Sequence, residues 1–389
     1  MSLIEREAAV VMQTYARTPV SFARGEGSWL WDESDEAYLD FLTGLAVVSV
    51  GHANPRVAAA VSDQMRRLVH TSNLFYTEPM VRLAEKLTEL SGLDRVFFAN
   101  CGATANEAAI KLARRWGQSR YGTDRHEVVS LVDSFHGRTL ATLAATGQPA
   151  KQARFEPLPA GFHQVAPGDV DALSAAVGER TAAVLVETTL GEGGVVPLSI
   201  EYLRAVRAMC DERGALLIVD DVQAGMGRTG SWFSWQQLDF EPDIATVAKA
   251  LANGLPIGAC LARDDVASAF ERGDHATTFG GGPVVAAAAL AVIEEIEEHG
   301  LLANCRERSS QLAEGLAGLD GVAAVRGRGL LLAAVLENQT AGDVANRALE
   351  RGLIVNAVRS DAIRFAPPLS VSRDEVVEAL DRFDQALRG

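Results

Sequence analysis

The sequence predicts an α/β protein, with a mostly parallel sheet flanked by helices and a smaller α+β region beside it. Between about Gly51 and Gly282 short apolar runs alternate with helical patterns, the signature of parallel strands joined by crossover helices. From about residue 283 onward the pattern changes to two long helical stretches, several strands and a closing helix. A length of 389 residues with 48% hydrophobic content exceeds one ordinary domain, so two units sharing a cleft are expected.

Taken in order, Ser28 to Phe41 reads as two alternating strands around the polar turn Asp32-Glu-Ser-Asp35, a hairpin. The apolar runs expected as strands are Arg95–Ala99, Glu127–Val132, Ala182–Val186, Leu216–Val219, Ile244–Ala248 and Ile257–Ala262. Apolar residues at helical spacing mark Ala105–Tyr121, Asp169–Val177 and Ile200–Arg213 between them. Long helices are then expected over Pro283–His299 and Leu302–Leu316. Strands over Val322–Arg326, Leu330–Leu336, Ile354–Val355 and Ala362–Phe365 follow, and a final helix over Arg373–Leu387. This divides the chain into an N-terminal segment (1–50), a large unit (51–289) and a small α+β unit (290–389).

Charge and cysteine usage narrow the function. Thirty-six basic against 51 acidic residues give a net charge of −15, which disfavours nucleic acid or an anionic membrane as the main partner. Anionic substrates would need locally placed arginines. No apolar stretch approaches about 18 residues, and Met1-Ser-Leu-Ile-Glu-Arg-Glu lacks a secretory pattern, so a cytoplasmic protein is expected. Cys101, Cys210, Cys260 and Cys305 are widely spaced and the histidines lack ligand spacing, so reduced thiols and no metal site are expected.

Two stretches carry chemistry. Lys249 follows the apolar run Asp243–Ala248 and precedes Gly254-Leu-Pro-Ile-Gly258, a constrained turn. Asp220 closes the apolar run from Ala215, where a carboxylate is costly unless it has a partner. A lysine amine that can add to an aldehyde and shuttle a proton, facing an acid that keeps a pyridine nitrogen protonated, is what pyridoxal 5'-phosphate chemistry needs. Asn100-Cys-Gly-Ala-Thr-Ala-Asn-Glu107 follows one expected strand and opens a helix. The free amides of Gly102, Ala103 and Thr104 would there cradle a phosphate.

Further blocks occur in a fixed order: Phe135-His136-Gly137-Arg138-Thr139, Gly191-Glu192-Gly193-Gly194-Val195, Asp220 to Gly230, the lysine segment and Thr277-Thr278-Phe279-Gly280-Gly281. With His70 to Tyr76, Gly147 to Lys151, Leu353 to Ala357 and Ile363 to Leu369, the chain resembles the class III aminotransferases from roughly Tyr15 to Leu387. Their acetylornithine aminotransferase subgroup is the nearest. The resemblance implies a fold-type I enzyme with a seven-stranded, mostly parallel sheet, and an N-terminal segment packed with the C-terminal unit. It implies that Lys249 carries the cofactor, Asp220 faces its ring nitrogen, Phe135 and Val222 cover its two faces, and Gln223 reaches its phenolic oxygen. Thr278 would reach the phosphate of a neighbouring subunit, making a homodimer with shared sites. Arg138 and Arg364 would clamp substrate carboxylates, Glu192 would pair with Arg364 for one class of substrate, and Tyr15 and Asn73 would join the substrate-binding set. His136 and Glu187 are read as structural neighbours.

The activity implied is ping-pong transfer of the δ-amino group of N-acetylornithine to 2-oxoglutarate, giving N-acetylglutamate 5-semialdehyde and glutamate, a step of arginine biosynthesis. Ornithine, succinyl-diaminopimelate and 4-aminobutyrate are the rival donors; a decarboxylase, an aminomutase or a non-catalytic cofactor-binding protein are rivals of another kind. The chain departs from the family pattern at several positions. Thr104 and Asp221 stand for glutamates, Thr188 and Leu190 for a proline and a glutamine, and Gly282 for an asparagine. A hydroxyl at position 104 would offer the cradle a further donor, and the change at 188–190 would alter loop stiffness and polarity.

Overall fold

The computed structural model describes residues 2–238 and 240–389; Met1, where the expected N-terminal segment begins, and Asp239 lie outside the described residues. The large sheet has seven strands, in the order Arg95–Ala99, Gly258–Ala262, Ile244–Val247, Leu216–Asp220, Thr181–Val186, Glu127–Leu131 and Phe162–Val165. Only Gly258–Ala262 runs against its neighbours; the other pairings are parallel. Thr181–Val186 and Leu216–Asp220 are buried along their whole length, because helices cover both faces. Phe162–Val165, absent from the expected strands, is an edge strand with a single neighbour and mixed polar residues. Pairing, not its own pattern, makes it a strand.

The helix Gly102–Tyr121 begins three residues before the expected start. Oγ1 of Thr104 accepts hydrogen bonds from the amides of Asn100 and Cys101 at 3.0 Å each, and this fixes the first turn. Helices Pro55–Arg67 and Glu78–Ser91, which were not expected, pack on Pro283–Glu298. Asn54 starts the first of them by accepting from the amides of Arg56 and Val57.

The C-terminal sheet is antiparallel, ordered Val322–Arg328, Leu331–Leu336, Ala362–Phe365 and Asn356–Arg359. Helix Arg373–Arg388 packs there by setting Phe383 edge-on against Phe365, with ring centroids 5.0 Å apart. Near the N-terminus, Phe22–Glu26, Trp29–Asp32 and Ala37–Asp40 form a sheet that Leu353–Ile354 joins in parallel. The two chain ends thus share one body beside the large sheet. Buried Arg228 ties the pieces together, donating through Nη1 to the carbonyls of Leu330, at 3.1 Å, and Pro367. No helix among the described residues is long and apolar enough to cross a membrane, and no group of potential ligands among them could hold a metal ion.

Candidate active site

The carboxyl ends of consecutive strands converge on one edge of the large sheet, where α/β folds place their clefts. Arg95–Ala99 leads into the helix starting at Gly102, Glu127–Leu131 into Phe135, Thr181–Val186 into Glu187, Leu216–Asp220 into Val222 and Ile244–Val247 into Lys249. They enclose a cavity of ≈ 380 Å³ lined by Gly102, Phe135, Asp220, Val222, Gln223 and Lys249, among others.

Lys249 stands at φ +42°, a conformation unfavourable for a side chain with Cβ, at the start of the turn Lys249–Ala252. The burial of Ala250, Leu251 and Ala252 holds it there. Desolvation depresses the Lys249 amine from 10.5 to about 8; the charge of Glu192 opposes the shift and Arg364 adds to it. A nucleophilic amine is thereby available near neutral pH.

Asp220 is buried and multiply held. Its Oδ2 lies 2.8 Å from Nδ1 of His136 and accepts from Nδ2 of Asn106 at 2.7 Å, while Oδ1 accepts from the amide of Val222 at 3.1 Å. Thr246 donates to Oδ1 of Asn106 at 2.6 Å and fixes the amide's orientation. With Asp220 as a carboxylate, which only accepts, the contact requires the His136 tautomer that has its proton on Nδ1. His136 is therefore a direct partner of Asp220 rather than a neighbour. Asn106 stands in the first turns of the helix Gly102–Tyr121, where nothing in the local sequence marks it as a partner of Asp220.

Gly102 packs so closely on Val222 that a Cβ there would come within 2.7 Å of a valine methyl, so the helix end can approach the cavity only with glycine. The first-turn amides of Gly102 and Ala103 have no acceptor within the helix, and both residues line the cavity. The Thr104 hydroxyl does not add the donor expected of it. It donates to the Cys101 carbonyl at 3.1 Å and accepts the two amides above, doing for the cap what an acid would do.

On the other side, Arg364 is 1% exposed and its Nη1 donates to Oε1 of Glu192 at 2.7 Å and to Oε1 of Gln223 at 3.2 Å. Nε donates to Oδ1 of Asn356 at 3.0 Å. Burial would raise the Glu192 carboxyl, but the charge and hydrogen bond of Arg364 hold it below its usual value. A Cβ at Gly191 would fall 1.9 Å from Oε1 of Gln223, so any other residue there would displace that side chain from Arg364. Glu187 links two walls: its oxygens accept from the amides of Phe135, at 2.8 Å, and Gly191, at 3.1 Å, and burial raises its pKa.

The departures from the family pattern mostly turn away from this space. Thr188 donates to Oγ of Ser234 at 2.7 Å, Leu190 is buried in the core, and neither lines the cavity. Asp221 accepts from the Ser234 amide at 3.0 Å, and desolvation raises its carboxyl to about 7. Gly282 caps Pro283–Glu298 at φ −53°, a value open to any residue.

Arg138 lines the cavity and is exposed, with its guanidinium carbon 5.6 Å from the Phe135 ring centroid. Tyr15, Asn73 and Thr278 do not line it. Tyr15 is 72% exposed beneath the guanidinium of Arg17. Nδ2 of Asn73 donates to the carbonyls of Thr277 at 2.9 Å and Gly280 at 3.2 Å, so Asn73 and Thr278 share a separate surface depression. Leu74, Phe75, Tyr76 and Phe279 are exposed on this stretch of chain, a concentration of apolar surface typical of an interface.

A family model described as Aminotransferase class-III matches residues 10–387. A relative from Bordetella bronchiseptica, "Acetylornithine aminotransferase 1", is 48% identical over 375 residues, 95% of this chain and 95% of that protein. Among solved structures, the N-acetylornithine aminotransferase of Stenotrophomonas maltophilia is 36% identical with a TM-score of 0.86, covering 99% of this chain and 98% of the other. An ornithine aminotransferase of Toxoplasma gondii, described with partial occupancy of PLP at its active site, is 31% identical with a TM-score of 0.94, covering 99% and 93%.

Proposed function

Because the chain belongs to the class III aminotransferases, we propose that it is a pyridoxal 5'-phosphate enzyme that moves the δ-amino group of N-acetylornithine to 2-oxoglutarate in a ping-pong cycle. The donor set fits the cofactor: a depressed lysine amine, a buried carboxylate lining the same cavity, an aromatic wall and a helix N-terminus. When bound, the cofactor supplies an aldehyde and an electron sink.

Lys249 would hold the cofactor through its amine and would carry the proton between carbon atoms. Asp220 would keep the ring nitrogen protonated, and His136 and Asn106 hold that carboxylate in place. Phe135 and Val222 would confine the ring, Gln223 would meet its phenolic oxygen, and the amides of Gly102 and Ala103, at the turn closed by Thr104, would receive the phosphate. Arg138 takes the carboxylate far from the reacting nitrogen. Arg364 takes the one next to the reacting carbon and is held by Glu192 when the donor has none. Residues 51–289 carry the cofactor, while 290–389 with the N-terminal 1–50 supply Arg364 and one side of the cleft. Thr278, Tyr15 and Asn73, all outside this chain's own cavity, serve the site of a second copy in a homodimer.

The observation that supports this most is the buried Arg364–Glu192 pair beside Lys249, a cation with a detachable counter-ion where two chemically different donors must alternate. The test is a donor panel with 2-oxoglutarate, combined with borohydride reduction and peptide mapping. N-acetylornithine should give the highest kcat/KM and the reduced cofactor should lie on Lys249. A preference for 4-aminobutyrate or succinyl-diaminopimelate overturns the donor, and label on another lysine overturns the site.

A further inference from the structure

Two cations approach the Phe135 ring: Arg138 lines the cavity with it, and Lys151, which is not part of that lining, stands half-buried beside the same ring. Nζ of Lys151 lies 5.0 Å from the Phe135 ring centroid, and Cζ of Arg138 lies 5.6 Å from the same centroid. Other charges at this rim are matched: Glu192 by Arg364 at 2.7 Å and Arg359 by Asp133 at 2.6 Å. Among the described residues neither Lys151 nor Arg138 has an ion pair or hydrogen bond, only the ring. The backbone that presents Lys151 is pinned, because the neighbouring Gln152 amide donates to the carbonyls of Leu143 at 3.0 Å and Thr146 at 2.8 Å, and Gln148 donates to Ser134 at 3.0 Å. Burial lowers the Lys151 pKa and the charges of Arg138 and Arg359 lower it further, while the charge of Glu192 opposes the shift.

We propose that Lys151 is a specificity-determining residue: with Arg138 it receives the distal carboxylate of the donor and rejects donors that carry an ammonium beside that carboxylate. The inference rests on the donor assigned above. In N-acetylornithine the distal nitrogen is a neutral amide, so that end of the molecule is a net anion. In free ornithine the same nitrogen is an ammonium, which must enter the field of two cations. Arg138 alone could grip either carboxylate through its planar fork. The compact charge of Lys151 adds a repulsion that the ammonium cannot avoid, which is discrimination against the wrong donor built from like charge. The remaining N–H groups of Lys151 are suited to the acyl carbonyl, an acceptor that free ornithine lacks.

The holoenzyme and its Lys151→Met, Lys151→Arg and Lys151→Glu variants should be assayed with N-acetylornithine, ornithine and 5-aminopentanoate, each against 2-oxoglutarate. In Lys151→Met the N-acetylornithine to ornithine ratio of kcat/KM should fall about tenfold, mainly through KM, since one like-charge contact at a partly solvated rim is removed. Lys151→Arg should restore the ratio and Lys151→Glu should lower it further. The ratio of 5-aminopentanoate to ornithine reads the ammonium alone and should fall in parallel. If the unsubstituted enzyme does not turn over N-acetylornithine, the assigned donor is wrong, and the 5-aminopentanoate ratio still decides the role of Lys151. An unchanged ratio in Lys151→Met, or an equal loss of kcat for every donor, overturns the inference.

Discussion

Nδ1 of His136 and Oδ2 of Asp220 lie 2.8 Å apart, both side chains buried, and Asn106 reaches the same oxygen at 2.7 Å. A carboxylate so held is preorganised, which suits the contact with the ring nitrogen proposed for it. Asp220→Asn keeps the shape but removes the charge, so the proton-transfer step should slow by at least about a hundredfold, roughly 3 kcal/mol. His136→Gln leaves the charge and loosens its aim, and should cost less, on the order of tenfold. Single-turnover rates with a saturating amino donor measure both; near-normal turnover in Asp220→Asn removes its assigned role.

The Lys249 amine gives a pH signature. Its pKa is about 8 in the fold against 10.5 for the ordinary group. Between those values the unfolded chain binds a proton that the folded chain lacks, so the cofactor-free protein gains stability as pH rises from about 8 towards 10.5. Below about 8 the cost of burying the charge is fully present. Lys249→Met should therefore raise the melting temperature of the cofactor-free protein most below that pH, with the advantage shrinking above it. Cofactor uptake by the unsubstituted protein should accelerate with pH and level off above about 8. Uptake that keeps rising to pH 10 would place the amine in an ordinary environment.

What the sequence disclosed follows from how each part is stabilised. Leu216–Asp220 is buried on both faces, so its run of apolar residues ending in an acid announces itself. Phe162–Val165 owes its conformation to one neighbour, and Asn356–Arg359 to pairing with Ala362–Phe365, so their own residues carry little signal. Helix Ala341–Glu350 is short and buries only Ala341, Val344 and Ala348, too few positions to stand out. Lys249 and Asp220, which the fold brings to one cavity, stand out in the sequence because each follows an apolar run where a charged side chain is costly. The partners of Asp220 are not, since His136 and Asn106 meet it across separations of 84 and 114 residues. Lys151 is likewise unremarkable until the fold sets it against the Phe135 ring.

The loop Thr277–Gly280, held by Asn73, presents Thr278 away from its own cavity. If Thr278 serves a second copy, mixing Lys249→Ala with Thr278→Asp, each inactive alone, creates hybrids with one intact site. At statistical mixing about half the dimers are hybrids, so roughly a quarter of full activity should return. Arg138→Ala mixed with Lys249→Ala should restore none, because those two residues line the same cavity of one chain. Recovery in the second mixture, or full activity in a demonstrably monomeric sample, contradicts the shared site.

The Arg364–Glu192 pair is expected to act as a switch between donors. Arg364 is buried, so leaving it unpaired during the N-acetylornithine half-reaction would strand a desolvated charge beside an uncharged part of that donor. Glu192 compensates it at 2.7 Å and is itself 28% exposed, which gives its carboxylate room to move out. Glutamate brings its own carboxylate to Arg364, and Glu192 must then leave. Glu192→Ala should preserve or speed the glutamate half-reaction and slow the N-acetylornithine half by about tenfold or more, the penalty of an uncompensated charge. Arg364→Ala should do the reverse, damaging mainly the glutamate half. Gln223 makes the asymmetry testable in a second way. Its oxygen shares Nη1 of Arg364 at 3.2 Å, so in Glu192→Ala it becomes the main remaining acceptor, and Glu192→Gln, which keeps a neutral acceptor in place, should fall between the two. Stopped-flow measurement of each half-reaction in the three variants decides the matter: equal slowing of both halves would mean that Glu192 only holds the Gly191 turn in shape, and that another group relieves Arg364.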